Sequence, residues 1–561
     1  MSPHRVFSNG RIYTADAAGS WAEAVGVEQG RIRAIGSRGA VRAAMRPDAH
    51  EIDLGGRTVL PGLIDAHNHF LATAEALASL DVGWPRVGSI EELVAVVAAA
   101  AAGAPAGRWI RAVGLNHAKF PDGRLPTRWD LDRATRDHPV VVQHVSGHFA
   151  LVNSAALAAR GLGERTPDPK GGRFVRDGEG RLTGLCLDAA MGLVRPVAVD
   201  IGSHGPNFHT EAPLEEMLAD LDRAGRAYLA AGLTTVCDPQ VTRRELTVYR
   251  EARRQDRLHV RTVCMPLSSQ LRELRAIGLA GPFGDDRLAI GGMKFYADGS
   301  LIGGTAAFSA PEAEGPAPGG VTYWQPEELG AMIAEAHAGG WQVGVHAQGD
   351  RAIGAALDAI DSAMRTAPRP DPRHRIEHAG LPTQAQLERM AGLGVITVNQ
   401  PLYLRDSGDE FLRRLGERAH RLQPLRDELI LGIRVVLSSD AFVASHRPLE
   451  TIAAAIRRRT QRGEPIGAAQ ALKLEEAVRA YTIEAARATF MEDRVGSLEP
   501  GKLADLVVVD GDLFAAPPER LADLPVWMTV VGGEVVWGAA SPLSARALRT
   551  GGPASGGTPR P

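Results

Sequence analysis

The chain has 561 residues, 44% of them hydrophobic, and a formal net charge of -3 at pH 7, which suits a large enzyme with a sizeable core and loosely bounds the count at about three or four domains. A near-neutral balance without a long basic run gives no electrostatic reason to expect nucleic acid or an anionic membrane as partner. No run of about 18 uncharged apolar residues occurs, and residues 1–5 lead into strand-like sequence rather than a charged and then apolar leader, so the expectation is a cytoplasmic protein, with a homodimer in view, acting on a small molecule.

Residues 4–58 alternate short β-like runs, at 5–7, 11–14, 24–27 and 31–35, with glycine-containing turns, the pattern of a small antiparallel sheet. The next run, Val59-Leu60-Pro61-Gly62-Leu63-Ile64-Asp65-Ala66-His67-Asn68-His69-Phe70, reads as a buried strand ending in two imidazoles. Side chains at i and i+2 share a face of a strand, so His67 and His69 can chelate one metal ion. Further apolar runs follow at 233–238, 258–265, 290–297, 341–346, 374–378, 395–400 and 433–440. With 60–67 they make eight candidate strands, and their alternation with helix-length segments favours parallel βαβ units closed into a barrel.

About 165 residues separate His67 from Leu233, where a helix and two loops need about 30. An insertion at about 105–212 is therefore expected to cover the barrel mouth. It offers His144, His148 and Asn153 as pocket groups. Tyr296 and Asp298 beyond the fourth strand, and Arg351 after the fifth, are further candidates for substrate contact. Trp84, Trp109, Trp129 and Trp341 are read mainly as core.

The polar residues fall in an order that a barrel explains, because such a fold gathers its site at one rim. His67 and His69 close the first strand, Lys294 sits on the fourth, His346 and His378 end the fifth and sixth, and Asp440 ends the eighth. This set suits divalent metal, zinc first among the candidates for imidazole-rich donors. Lys294 is a ligand only if its neutral amine takes up carbon dioxide as a carbamate; otherwise it is a charged lysine that pairs with Asp298 or touches substrate. Asp440 reads as ligand, general base, or both. Cys186, Cys237 and Cys264 have no metal spacing and are expected reduced and buried.

Near the C-terminus, 505–510, 527–531, the turn Gly532-Gly533 and 534–537 read as strands and a hairpin. One sandwich built from both ends explains why neither half is long enough to be stable alone. Past Gly538 the sequence loses periodicity, and 541–561 is expected to be a flexible tail.

Several segments resemble the amidohydrolase superfamily, in its amidohydrolase family 3 or YtcJ-like branch, which includes N-substituted formamide deformylases. They are Leu60-Pro61-Gly62-Leu63-Ile64-Asp65-Ala66-His67-Asn68-His69, Met293-Lys294-Phe295-Tyr296-Ala297-Asp298-Gly299-Ser300, Val345-His346-Ala347-Gln348-Gly349-Asp350-Arg351-Ala352, Arg375-Ile376-Glu377-His378-Ala379, Ser438-Ser439-Asp440-Ala441 and Gly496-Ser497-Leu498-Glu499-Pro500-Gly501-Lys502-Leu503-Ala504-Asp505-Leu506. They run in order along nearly the whole chain, and a segment at 138–157 places the insertion inside the resemblance.

The resemblance implies an α/β fold: a (β/α)8 TIM barrel at 60–497 and a composite β-sandwich from 1–59 and 498–540. It also implies hydrolysis of a C–N bond in an amide, N-formyl, N-acyl or cyclic amide substrate. It assigns His67 and His69 to the more buried of two Zn2+ ions, His346 and His378 to the more exposed, and carboxylated Lys294 to the bridge. Asp440 becomes general acid and base for a metal-activated hydroxide. A mononuclear aminohydrolase of a heterocycle with unmodified Lys294, and a non-catalytic regulatory relative, are the alternatives. Two departures bear on substrate identity: Asp188 stands where relatives usually have Glu, and Phe442 where proline is common.

Overall fold

A computed structural model describes residues 4–314, 317 and 319–538. The expected tail at 541–561 and the last two residues of the 498–540 segment lie outside the described residues.

The two ends of the chain meet in one sheet of six strands, ordered Glu534–Trp537, Val526–Val531, Leu506–Val509, Thr58–Pro61, Arg11–Tyr13 and Trp21–Ala22. At its centre Val507 pairs opposite Leu60 in an antiparallel ladder. A four-stranded sheet, Arg31–Gly36, Ala24–Glu28, Arg5–Ser8 and His50–Asp53, packs on one face through Phe7, Val25, Val27 and Ile32. The two-residue period of a strand divides the labour: Leu506 and Val508 join that inter-sheet cluster, while Val507 and Val509 join the large central core.

That central core surrounds two five-stranded sheets. The first runs Phe283–Gly284, Leu288–Ile290, Arg261–Pro266, Leu233–Val241, Leu63–Asp65, and the second Met293–Tyr296, Val343–Ala347, Arg375–His378, Ile396–Asn399, Val435–Leu437. Every pairing is parallel except the first hairpin. The sheets touch at both edges, by a bridge between Leu267 and Lys294 and by the Asp440 N–H donating to the His67 carbonyl at 2.9 Å. Helices Leu214–Ala230, Pro326–Ala338 and Asp350–Thr366 bury Leu218, Ile333 and Leu357 on the outer face. Ile64, Cys237, Val263, Val398 and Val436 fill the inner one. All three cysteines are free and buried.

Two of the eight expected strands are not single strands. The run at 60–67 breaks at Gly62, leaving Thr58–Pro61 in the six-stranded sheet and Leu63–Asp65 in the first parallel sheet. Only glycine fits there, since a Cβ would lie 2.2 Å from Thr234 Oγ1. The run at 290–297 breaks at Gly291 and Gly292, so that Leu288–Ile290 belongs to the first of these sheets and Met293–Tyr296 edges the second.

The insertion builds a sheet of its own, ordered Gly172–Arg176, Leu182–Asp188, Phe149–Val152, Val140–His144, Ile110–Leu115 and Leu80–Asp81. Ahead of residue 105, Leu80–Asp81 pairs with this sheet and helix Ile90–Ala102 packs Leu93 and Val97 against Val140, Val142 and Leu151. Of the tryptophans, Trp341 is core, but Trp84 and Trp129 are 48% and 36% exposed and carry Lys119 and Arg128 over their rings. Among the described residues no helix is long and apolar enough to cross a membrane.

Candidate metal centre

Strand alternation decides which side chains face the centre. Val343, Val345 and Ala347 belong to the outer core, which leaves Gly344 and His346 on the inner face. Ile376 likewise faces out, so Arg375 and Glu377 face in. Strict alternation would send His378 outward with Ile376. The backbone breaks that rule, with φ +76° at His378, +41° at Ala379 and +53° at Asp440. Left-handed backbone at a non-glycine costs about 1–3 kcal/mol and gathers at functional sites.

His67, His378 and Asp440, all buried, each offer one ligand atom within 4.8 Å of the others. His67 Nδ1 lies 2.6 Å from Glu377 Oε2 and His378 Nδ1 lies 2.8 Å from Gln400 Oε1. Each acceptor keeps the proton on Nδ1 and leaves the Nε2 lone pair free for a metal. Burial pushes both imidazoles well below their ordinary range, with the Lys294 charge adding to it. They are therefore neutral, the form a cation binds.

Burial works against the charge of Asp440, yet His67, His69 and the Tyr403 hydroxyl hold its carboxyl below the usual range. Tyr403 donates to Oδ2. Oδ1 has no hydrogen-bond partner, although His69 Nε2 and His67 Nε2 stand 3.1 and 3.4 Å away, misaligned for bonding. Lys294 is fully buried, with Nζ 3.4 Å from His67 Nε2, and burial foremost lowers its amine to about 8. His346 Nε2 contacts the Gly299 carbonyl at 2.9 Å, and its ring centroid lies 4.4 Å from that of His378. Two neutral imidazole nitrogens and an unpartnered carboxylate oxygen fit a divalent cation.

A model of the amidohydrolase family matches residues 50–537. The chain belongs to the amidohydrolase family. Over 540 residues it is 32% identical to an N-substituted formamide deformylase of Arthrobacter pascens, across 94% of this chain and 96% of that one. It is also 33% identical to the protein LONG AFTER FAR-RED 3 of Arabidopsis thaliana, across 94% and 91%. Among solved structures, an uncharacterized metal-dependent hydrolase from Pyrococcus furiosus matches with a TM-score of 0.70 at 28% identity, covering 91% of this chain and all of its own.

The other expected site residues of this amidohydrolase separate into two groups. His148 and Tyr296 border the centre, each with its ring 4.9 Å from that of His346. His148 is held by Asp188, 2.6 Å away, which also accepts from the Tyr323 hydroxyl at 2.8 Å. Asn153, Asp298 and Arg351 instead serve the backbone. Asn153 accepts from the Val140 and Ala156 N–H groups and donates to the Thr135 and His138 carbonyls, which saturates it. Asp298 accepts from the N–H groups of Ala307, Gln348 and Gly349. Arg351 is exposed and donates to the Gly319 carbonyl. His144 stacks on Phe149 with centroids 3.7 Å apart and contacts Ser146.

Residues that the sequence reading passed over complete the cluster. Arg375 grips Glu377 through two contacts of 2.6 and 2.8 Å, and Gly344 leaves the room, since a Cβ there would lie 2.8 Å from Glu377 Oε1. The signal was present: opposite charges at i and i+2 in a buried strand need each other. Tyr403 and Gln400 gave none, because the turn after Ile396–Asn399 aims them.

Proposed function

We propose that this amidohydrolase cleaves the C–N bond of an N-formyl, N-acyl or cyclic amide. Its site would hold two divalent ions, zinc foremost, bridged by carboxylated Lys294 at the rim of a (β/α)8 barrel with a composite sandwich. The observation that carries the reading is Asp440 Oδ1, a buried carboxylate oxygen without a hydrogen-bond partner, set among imidazoles that present Nε2. The formamide deformylase relative supports the bond type.

A divalent ion bound there supplies Lewis acidity to the scissile carbonyl and acidifies water. Glu377 keeps the His67 proton on Nδ1. Tyr403 orients the Asp440 carboxylate through Oδ2, and that carboxylate takes the proton of the attacking water and returns it to the departing nitrogen. An amine leaves poorly unless protonated, which gives one carboxylate both duties. At Lys294, the amine adds to carbon dioxide and releases a proton, and the burial that lowers its pKa makes the neutral amine available.

Metal content per chain, followed by a hydrolysis screen of N-formyl, N-acyl and cyclic amides, tests the proposal; a metal-free protein inert to all three classes would sink it. One observation favours a second reading. Among the described residues only His67, His378 and Asp440 converge within 4.8 Å, which suits a single ion, an unmodified Lys294 and deamination of a heterocycle. One ion per chain with ammonia released would select it.

A further inference from the structure

Beside the candidate metal centre lies a small cavity of about 40 Å³ lined in part by Glu75, Arg111, Gln143, Arg195, Phe208 and Phe442. Phe208 and Phe442 separate it from the centre: their ring centroids lie 5.0 and 6.2 Å from that of His69 and 5.4 Å from each other. The cavity therefore ends one aromatic ring away from His69. On its far side it shares Glu75 and Arg111 with a surface groove.

Its charge is unbalanced. Arg195 is 5% exposed; it donates to Gln143 Oε1 at 2.9 Å and to the Asn207 carbonyl, and its Nε has no partner. Gln143 is 7% exposed, and its Nε2 is also unpartnered. Arg111 donates only to the Glu211 carbonyl, at 3.3 Å. Glu75, the acid of this wall, is taken by Arg244, which pairs with Glu245 as well. The hydrogen-bond partners of Arg111 and Arg195 are thus all neutral, and although the Glu75 charge acts on both, Arg111, Arg195 and Arg244 together outnumber the two carboxylates Glu75 and Glu245. An excess of buried positive charge is costly, and orphaned donors on a guanidinium and an amide match the planar oxygens of a carboxylate.

We propose that this cavity takes the carboxylate end of the substrate. The substrate class is then an amide whose scissile bond lies at the metal centre and whose far end is an anion, joined by an apolar spacer that passes Phe208 and Phe442. The assignment rests on the hydrolytic reading above for the bond cleaved, but not for the anion site itself. Glu75 lies on the same wall, but it and Glu245 are two carboxylates among three guanidinium groups, Arg111, Arg195 and Arg244.

The test uses a matched pair of probes, 6-formamidohexanoate and its neutral counterpart 6-formamidohexanamide. For the wild-type holoenzyme, kcat/KM should favour the carboxylate by about tenfold or more, the scale of a hydrogen bond to a charged group. In Arg195→Met the ratio should fall toward one. Arg111→Met, at the outer end of the cavity, should lower it too and covers the case in which Arg195→Met fails to fold. A wild-type ratio near one, or a ratio that survives both substitutions, overturns the proposal even if both amides are hydrolysed. Should neither be hydrolysed, the hydrolytic reading fails for this class, and calorimetric binding of the same pair decides the anion site: tighter binding of the carboxylate that both variants lose supports it, while equal or undetectable binding of the two probes overturns it.

Discussion

The metal centre and the arginine-lined cavity stand one aromatic ring apart, yet they are assembled by opposite means. The centre draws His67, Lys294, His346, His378 and Asp440 from strands or strand ends of the parallel sheets, where backbone pairing fixes each position. The cavity draws Arg111 and Gln143 from the insertion's own sheet, and Arg195 and Phe208 from irregular chain after it. The difference implies a division of labour. On the readings proposed above, the strand-borne residues would carry the chemistry and a separately built wall would select which molecule meets them.

The sharpest way to break this contrast is at the rim. His67→Ala removes one of the converging donors, so bound metal and nearly all turnover should go, whichever amide is offered; metal analysis and kinetics on several substrates check it. Retention of full metal would falsify the site. Asp440→Asn should keep the fold and much of the metal while kcat drops at least about 10²-fold, the scale of losing a general acid and base. A near-normal kcat with an unchanged pH profile would place the base elsewhere. Glu377→Gln should weaken metal affinity by about 10- to 100-fold, as loss of an outer partner of a ligating imidazole does, and a competitive chelator titration measures it. An affinity equal to wild type would show that Glu377 matters only to Arg375.

The smallest effect lies away from both regions. His374 Nδ1 accepts from the Val343 N–H at 3.0 Å and its Nε2 meets His337 Nδ1 at 2.8 Å. Burial first, then the neighbouring His337, lowers it from 6.5 to about 3. The unfolded chain takes up a proton near pH 6.5 that the folded chain refuses, so this group's stabilisation is complete above pH 6.5 and is lost as pH falls toward about 3. Thermal melts of His374→Gln should show a shallower acid limb than wild type, with turnover per bound metal unchanged. An identical limb would mean that another group carries the acid sensitivity.

Much of the rim was legible because its residues punctuate apolar runs of strand length, and a period of two says which share a face. His378 shows where that rule stops: its placement depends on a left-handed backbone that alternation does not encode. Asn153 and Asp298 bond to the backbone, a use that sequence does not separate from substrate contact, because a buried polar side chain looks the same in either. The cavity was hidden altogether. Arg195 is one arginine in irregular chain, and only folding shows that its partners carry no charge. Leu80–Asp81 is too short to read as a strand in sequence, although it pairs with the sheet of the insertion.

The ladder between Thr58–Pro61 and Leu506–Val509 bears on when the protein becomes active during its synthesis. A single glycine joins the first of these strands to the segment that leads into His67. Its neighbour in the six-stranded sheet comes from the other end of the chain; Thr58 Oγ1 accepts from the Leu513 N–H, 455 positions away. Closing so long a loop waits on the chain that contains it. While a ribosome still holds the last strands, the sheet that anchors the first imidazole lacks its central partner. On the proposed reading, metal capture would thus be among the last events of biosynthesis, and a prematurely ended chain would carry most of the candidate ligands without a frame to hold them.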